Sequence, residues 1–418
     1  MSMITYQKAI EIIQAAAGKR SLQEEKVSLL QAVGRILTED LYSREDLPAQ
    51  DNSAMDGFAV KSEVTLLATA ESPCLLPVMG YIAAGDALPL QKNSAGGVYG
   101  IMTGALIPEG DFDAVVKVED VEVFCDGGVS SIRIKAPVPV GNNIRPQGSD
   151  FTKGTRILKR GHRLGHEDVM ALAALGYTEI PAFKKLRVGV ISTGKEIVPF
   201  ATQDIAVEQV RNSSAPFLRS YFCSLGCDVD VFEQSEDNAS GFGEKFTHLM
   251  SENYDLVLTT GGVSMGNWDY VTNSLQKLGV KTEFHKVAIR PGKPLLFGVH
   301  AKTGAAVFGL PGNPVSTAIG ASFFVTSYLK ALRGQGCEQS FQLPVIGSIK
   351  KPQGLRSFFK ARIEQNDGVS RVRILPGQGS YMLHSLLEAN CWAVVSEEGD
   401  RVAEGTTVEV HPWEGRTL

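Results

Sequence analysis

Residues 254–271 read "YDLVLTTGGVSMGNWDYV": an apolar run, two glycines, a Ser-Met-Gly-Asn turn and then an aspartate, Asp269. The run before the glycines is short, apolar and partly β-branched, as expected of a strand buried on both faces. In an open parallel sheet, ligands lie outside the carboxyl ends of the strands. There glycines let backbone N–H groups approach an anion, and the next helix presents its positive end. Gly261, Gly262 and Ser264 occupy such a place. Asp269 heads "DYVTNSLQKL", where, taken alone, a helix N-cap contributing about 1 kcal/mol is the better reading of it.

The same grammar recurs nearby. "VISTGKEIV" ends an apolar run in Ser-Thr-Gly and leaves Glu196, and "VFGLPGNPVSTAI" ends another at Pro311, Gly312 and Asn313. In the latter, Asn313 reads as an N-cap and Pro314 as a first helical residue. From Lys184 onward strand and helix patterns alternate, which predicts a doubly wound, mostly parallel α/β sheet. Its polar turns would converge on one edge, where they predict phosphate or anion binding. "HKVAIRPGKPLLFG" adds Lys286, Arg290 and Lys293. On a strand, residues 286 and 290 share a face, and the Pro-Gly turn brings Lys293 near them, which favours an oxyanion site over solvated charge. Glu196, Asp237 and Asp269 would suit Mg²⁺, which takes one or two carboxylates together with substrate phosphates. Each is also acceptable as a cap or turn residue, Asp237-Asn238 especially.

Around this block the period changes. "TYQKAIEIIQAAA" and "SLLQAVGRILTEDL" read as amphipathic helices, as does "GHEDVMALAALGY", which ends at Gly176. Between them, Gly, Pro and Asp punctuate short apolar runs that predict a β-rich insertion. Short strands return after residue 335 and fit a small C-terminal β-barrel. In "DNSAMDGFAV", Asp56 before Gly57 reads locally as a tight turn with a left-handed glycine.

With 418 residues, 43% of them apolar, the chain can bury a substantial core and form several domains. Its 41 Lys+Arg against 46 Asp+Glu leave a formal charge of -5, without the basic excess of a nucleic-acid binder. "MSMITYQKAIEIIQ" lacks the basic and apolar blocks of a leader, and no run of 18 apolar residues occurs, so no membrane role and a cytoplasmic location are expected. The six cysteines form no CxxC pair and predict reduced thiols. In "CSLGC", Cys223 and Cys227 read as packing rather than half a metal site.

Nine segments, "DNSAMDGFAV", "IMTGALIP", "NIRPQGSD", "STGKEIV", "VRNSSAPFL", "LTTGGVSMGNWDYV", "KVAIRPGKPLLFG", "LPGNPVS" and "PGQGSYMLHSL", occur in the order found in the MoeA family of molybdopterin molybdenumtransferases. The chain resembles that family, which includes the C-terminal domain of gephyrin, over nearly its whole length. The resemblance implies four domains: residues 1–42 with 151–183, a β-rich domain at 43–150, a molybdopterin-binding MogA-like domain at 184–335 and a barrel at 336–418. It also implies a homodimer that inserts molybdate into adenylylated molybdopterin with Mg²⁺ help and releases AMP. A molybdopterin adenylyltransferase and molybdoenzyme chaperones are further partners implied. Carried over by motif, Asp56, Thr103, Asp150, Glu196, Asp237 and Asp269 resemble the active-site set, the first three facing the neighbouring subunit. Gly261, Gly262, Ser264, Lys286, Pro311, Gly312 and Asn313 resemble the substrate-binding set; Arg290, Lys293, Lys360 and Ser380 resemble the molybdate cluster. Three positions depart from the family: Lys195 stands for a common Asp, Arg290 for a common Lys and Lys360 for a common Arg. Those departures leave room for a specialised paralogue that handles tungstate or has lost activity; a noncatalytic scaffold and a MogA-type adenylyltransferase, which shares the turns of the third domain, are further alternatives.

Overall fold

In the computed structural model, residues 2–87, 96–110, 112–233, 238–262, 270–336, 340–366 and 368–413 are described. They fall into two compact units, one of residues 1–39, 160–169 and 179–418, the other of 40–159 and 170–178.

In the larger unit, helix α1 (Tyr6–Ala17) is capped by the Thr5 hydroxyl, which accepts from the Lys8 amide. The central sheet contains β1 (Leu186–Ser192), β2 (Cys227–Phe232), β3 (Leu256–Thr260), β4 (Val280–His285), β5 (Leu296–His300) and β6 (Ala306–Leu310), in the order β2-β1-β3-β6-β5-β4. The first four are parallel; β5 and β4 add an antiparallel edge. The two-residue alternation of a strand sorts side chains to two faces. Leu256 and Leu258 of β3, with Ala306, Phe308 and Leu310 of β6, join one core with Ile13 of α1, Phe222 of helix α2 (Ser214–Ser224) and Phe324. Val257 and Val307 face the other core, with Phe242, Phe246 and Leu249 of α3 (Ala239–Ser251) and Leu275 of α4 (Tyr270–Lys277). Both faces are thus covered, as the alternating pattern predicts.

The helix that follows β6, Pro314–Leu332, contains a π-helical segment at Gly320–Val325. Gly320 lies so close to β6 that a Cβ would meet Leu310 at 2.7 Å. By length and composition this helix could cross a membrane, but 78% of its apolar window is buried inside the protein, which marks it as a core helix.

The C-terminal barrel is built of β7 (Phe341–Ile346), β8 (Arg356–Asn366), β9 (Val369–Ile374), β10 (Cys391–Val395) and β11 (Thr407–Pro412). Its order is β8-β9-β7-β11-β10, and a β8–β10 pairing closes the ring around Val345, Phe359, Ala361, Val372 and Val410. Strand β8 serves both bodies of the unit, because Phe358 enters the large core and Phe359 the barrel.

The smaller unit holds a six-stranded sheet in the order 114–117, 57–60, 98–101, 74–82, 129–134, 121–126. The β-rich insertion is therefore present.

Three local expectations are corrected. Residues 28–41 are not a helix: Leu29–Gln31 form one 3₁₀ turn, Gly34 takes φ +79, and Ile36 and Leu37 bridge to Arg163 and Ala182. The apolar spacing there follows a winding segment that leaves Leu30 exposed, and the glycine ends any helix. Gly57 is not left-handed; it opens strand 57–60, where a Cβ would lie 2.0 Å from the Val116 carbonyl oxygen. Lys286 and Arg290 do not share one strand, since Lys286 takes φ +80 after β4 and Ile289–Arg290 pair with the start of β8.

Candidate functional site

Three strand-end turns meet at the carboxyl edge of the parallel sheet. Their strands are neighbours in register, Ser192 beside Thr260 and Thr260 beside Leu310, so the turns after β1, β3 and β6 start level. Thr193 donates from its amide to the Thr260 carbonyl at 2.9 Å and from its hydroxyl to the same oxygen at 3.0 Å. The Gly261 amide donates to the Leu310 carbonyl at 3.1 Å. The packing forbids side chains at the second turn, where a Cβ at Gly261 would lie 2.9 Å from the Thr193 oxygens and one at Gly262 2.4 Å from Val271, while one at Gly312 would stand in ordinary contact with the Gly261 Cα at 3.4 Å. Gly261 and Gly262 also take φ +84 and +61, which L side chains rarely adopt. Backbone, rather than side chain, forms this edge, as an anion cradle requires.

Glu196 lies on the first of these turns, closed by the Ile197 amide donating to Gly194 at 3.0 Å. Its carboxylate is exposed and lies against Gly194, within 2.9 Å of where a Cβ would stand. Asn212, given no role in the sequence reading, is buried between turn and helix. Its amide nitrogen donates to the Ser192 hydroxyl at 2.9 Å, and its oxygen accepts from the Ala215 amide at the start of α2 at 3.1 Å. Asp237, Ser264 and Asp269 lie outside the described residues.

At the third turn Asn313 precedes Pro314 in the cap position, but its side chain makes no capping hydrogen bond. The Thr317 hydroxyl instead donates to the Pro311 carbonyl at 2.6 Å, and the Val315 amide donates to the Ser380 carbonyl at 3.0 Å. A loop after the barrel strand β9 therefore caps this helix.

The cationic segment 286–293 is pinned on both sides. Ile4 donates to the Lys286 carbonyl at 3.2 Å, and the Arg356 amide of β8 donates to Ala288 at 3.0 Å. Beyond it lies a cavity of about 480 Å³ lined by Arg290, Lys350, Lys351, Ser357, Gln378 and Gly379 among others. Arg290 and Lys350 are exposed cations, and neither side chain has a partner among the described residues. The Lys351 ammonium donates to the Gly399 carbonyl at 2.7 Å. Lys293 is exposed at the Pro-Gly corner, and Lys286 is half-buried. Lys350 was absent from the sequence reading, although "IKKPQG" repeats the cation-proline-glycine grammar of "IRPGKP".

Lys360 departs from its expected place in an anion cluster. It is fully buried on β8, and its ammonium donates to the carbonyls of Gly377 at 2.6 Å, Met382 at 2.8 Å and Gly379 at 3.3 Å. An ammonium has three hydrogens, so no donor remains for a bound oxyanion. Burial lowers the pKa of this ammonium.

In the smaller unit the structure joins Asp56 to Thr103. One Asp56 carboxylate oxygen accepts from the Thr103 amide at 2.7 Å and from its hydroxyl at 2.8 Å. These bonds, the amide's foremost, hold the Asp56 carboxyl below its ordinary pKa. Asp150 lies in a different turn, its amide donating to Leu47 at 3.0 Å. Among the described residues, no group of three or more His, Cys, Asp or Glu forms a metal site. Of the two cysteines read as packing, Cys227 is buried and accepts from the Arg333 guanidinium, while Cys223 is exposed and does not pack. A separate cavity of about 370 Å³ is lined by Phe217, Tyr221, Phe323, Leu387, Trp392 and Trp413 among others, a mostly apolar wall that also includes Lys330 and His411.

Comparison with known proteins bears on what this edge and cavity serve. Residues 4–176 match the MoeA N-terminal region (domain I and II), residues 189–331 a probable molybdopterin binding domain, and residues 343–413 the MoeA C-terminal region (domain IV). A molybdopterin molybdenumtransferase from Synechococcus elongatus is 41% identical over 98% of this chain and 99% of its own. One from Haemophilus influenzae is 34% identical over 94% of each chain. A crystal structure of a molybdopterin biosynthesis MoeA protein from Pyrococcus horikoshii superposes with a TM-score of 0.81 at 27% identity, covering 99% of this chain and 100% of that one.

Proposed function

Because this chain belongs to the MoeA family of molybdopterin molybdenumtransferases, and so is an enzyme of molybdenum cofactor biosynthesis, we propose how its residues divide the work of inserting molybdate into adenylylated molybdopterin. The glycine edge binds the phosphate-bearing part of the substrate through the backbone donors of Gly262 and Gly312, while Gly261, its amide committed to Leu310, shapes the edge; Asn313 stands at the rim, and Ser264 is a sequence-expected contact. Lys286 approaches the same substrate. Arg290, Lys293 and Lys350 bind molybdate, and Ser380 lies on the loop that bounds their cavity. The observation that carries this reading is the Val315–Ser380 hydrogen bond, which fastens the phosphate edge to a loop of the oxyanion cavity.

The chemistry is electrostatic. Molybdate is a dianion and its partner already carries phosphate charge, so fixed cations must offset their repulsion as the two meet. Arg290 supplies a planar fork that grips two oxygens at once, while lysines act as point charges. The dithiolene sulfurs displace an oxygen of molybdate, which leaves as water with their two protons, and a water molecule adds across the phosphoanhydride so that AMP departs from the pterin phosphate, with no protein nucleophile required. The exposed Glu196 carboxylate beside Gly194 fits the modest protein ligation that Mg²⁺ needs, and Asp237 and Asp269 are its sequence-expected partners. Bound there, Mg²⁺ would supply Lewis-acid polarisation of the phosphoanhydride. Asp56, Thr103 and Asp150 complete the site from the neighbouring subunit of a homodimer, and the enzyme works in the cytoplasm.

Purified protein given adenylylated molybdopterin and Mg²⁺ should release AMP only when molybdate is added. Parallel reactions with tungstate report which oxyanion is preferred. AMP release independent of either oxyanion would defeat the reading.

A further inference from the structure

We propose that Lys360 is a positioning residue that shapes the oxyanion cavity from behind, and does not itself bind the anion. The inference rests on the reading of that cavity as the oxyanion site. Three main-chain oxygens of one loop, at Gly377, Gly379 and Met382, converge on the Lys360 ammonium, which is fully buried. Burying a charge is costly unless polar partners replace its water, and here the loop carbonyls do so. Carbonyls drawn inward to a common cation fix the curvature of the segment that carries them.

The peptide group of the same residue holds the loop a second time. The Lys360 amide donates to the Gln378 side-chain oxygen at 3.0 Å, while the Gln378 amide nitrogen donates back to the Lys360 carbonyl at 2.8 Å. The same nitrogen donates to the Leu375 carbonyl at 2.7 Å, and the Ser385 hydroxyl adds a further donor to Gly377 at 2.8 Å. Gln378 and Gly379 line the oxyanion cavity. Ser380, the next residue, gives its carbonyl to Val315 at the phosphate edge. One residue of β8 thus sets a wall of the cavity and the attachment of that wall to the neighbouring turn.

A lysine suits this task better than an arginine. Its compact ammonium directs three hydrogens to three converging oxygens, whereas a guanidinium spreads five donors in a plane and would leave some buried without acceptors.

The test compares tungstate binding by calorimetry at two salt concentrations, at a temperature where circular dichroism shows each variant folded. Arg290→Met should weaken binding and flatten its salt dependence, since an anion contact is lost. Lys360→Met should weaken binding by about tenfold, the factor that a lost hydrogen bond of ordinary strength implies, while keeping the parental salt dependence. It should also speed hydrogen exchange at residues 377–382 and at Val315. Lys360→Arg should not restore parental affinity. A Lys360→Met protein with flattened salt dependence would make Lys360 an anion ligand; one with parental affinity would make it merely structural. Either result overturns the proposal. If Lys360→Met does not fold, Gln378→Ala loosens the same loop without touching the charge. It should weaken binding at parental salt dependence, and unchanged affinity counts against the proposal. A parental protein that binds no tungstate removes the cavity reading itself, and the positioning role with it. Normal tungstate binding with no AMP release would instead locate the failure in the proposed reaction.

Discussion

The main-chain oxygen of Ser380 accepts the amide hydrogen of Val315 at 3.0 Å. Val315 is the second residue of its helix, a position whose N–H has no partner within the helix. Asn313, the expected cap, leaves that work to a residue 65 positions beyond Val315 in the sequence, so closure of the phosphate edge depends on the loop after β9. This relationship underlies the expected behaviour of the oxyanion cavity.

Arg290→Ala and Lys350→Ala should each raise the molybdate concentration needed for half-maximal turnover. The scale is that of a lost charge-assisted hydrogen bond, about 1 to 3 kcal/mol. Arg290→Lys should weaken molybdate use less than Arg290→Ala does. Adding Lys360→Arg to Arg290→Lys should make matters worse, because the new guanidinium lands among carbonyls and not beside the anion. Recovery in that double variant, read from molybdate titrations, would place both residues on one ligand.

Gly261→Ala should abolish turnover and destabilise the fold by about 1 to 3 kcal/mol, because a left-handed backbone and the Thr193 oxygens both oppose a side chain. Gly243→Ala is the contrast. It lies inside α3 with nothing within 4 Å of a new Cβ, and should stabilise by about 1 kcal/mol through helix propensity alone. Denaturant unfolding of the two variants should therefore move in opposite directions.

Thr103→Val should raise the Asp56 pKa part of the way to its ordinary value, because the hydroxyl bond is lost while the larger backbone bond stays. For the parent, a depressed folded pKa means that the carboxylate's contribution is present above the unfolded pKa and is lost as pH falls through the folded one. Carboxyl carbon shifts followed by NMR against pH would show the rise; an unchanged midpoint would mean that the hydroxyl bond does not form in solution.

Cys125 and Cys223 are exposed and should react with a maleimide reagent within minutes at neutral pH. Cys391 is buried in the barrel, its pKa pushed up to about 12, and Cys227 is buried with its pKa also raised. Both should label only on unfolding, since the thiolate is the reactive form. Mass spectrometry of labelled peptides separates the two classes.

Asp56→Ala mixed with Glu196→Ala should regain partial turnover once subunits exchange, if the two residues serve one site from different chains. Exchange demonstrated by light scattering and tagged pull-down, with no activity recovered, would assign both residues to sites within a single subunit.

Much of this protein was legible without coordinates because its signals are local. Glycine turns after apolar runs marked the edge at Gly261 and Gly312, and alternation of strand and helix marked the sheet that aligns them. The ordered motifs carried the family. Some local signals misled where a distant contact outweighed them. Residues 28–41 have helical spacing, but Gly34 and the bridges of Ile36 and Leu37 to segments well over a hundred residues away draw that stretch into extended structure. Gly57 is glycine for the closeness of the Val116 carbonyl across the sheet, and not for a turn. Only the tertiary structure decided the fate of Lys360. A lysine in the sequence is a charge awaiting a partner, and whether that partner is an anion or three carbonyls depends on which chain segments close over β8. Lys350 gained its place in the cavity for the same reason: strand pairing through β8 brought Arg290 to a barrel cavity that no spacing in the sequence could indicate.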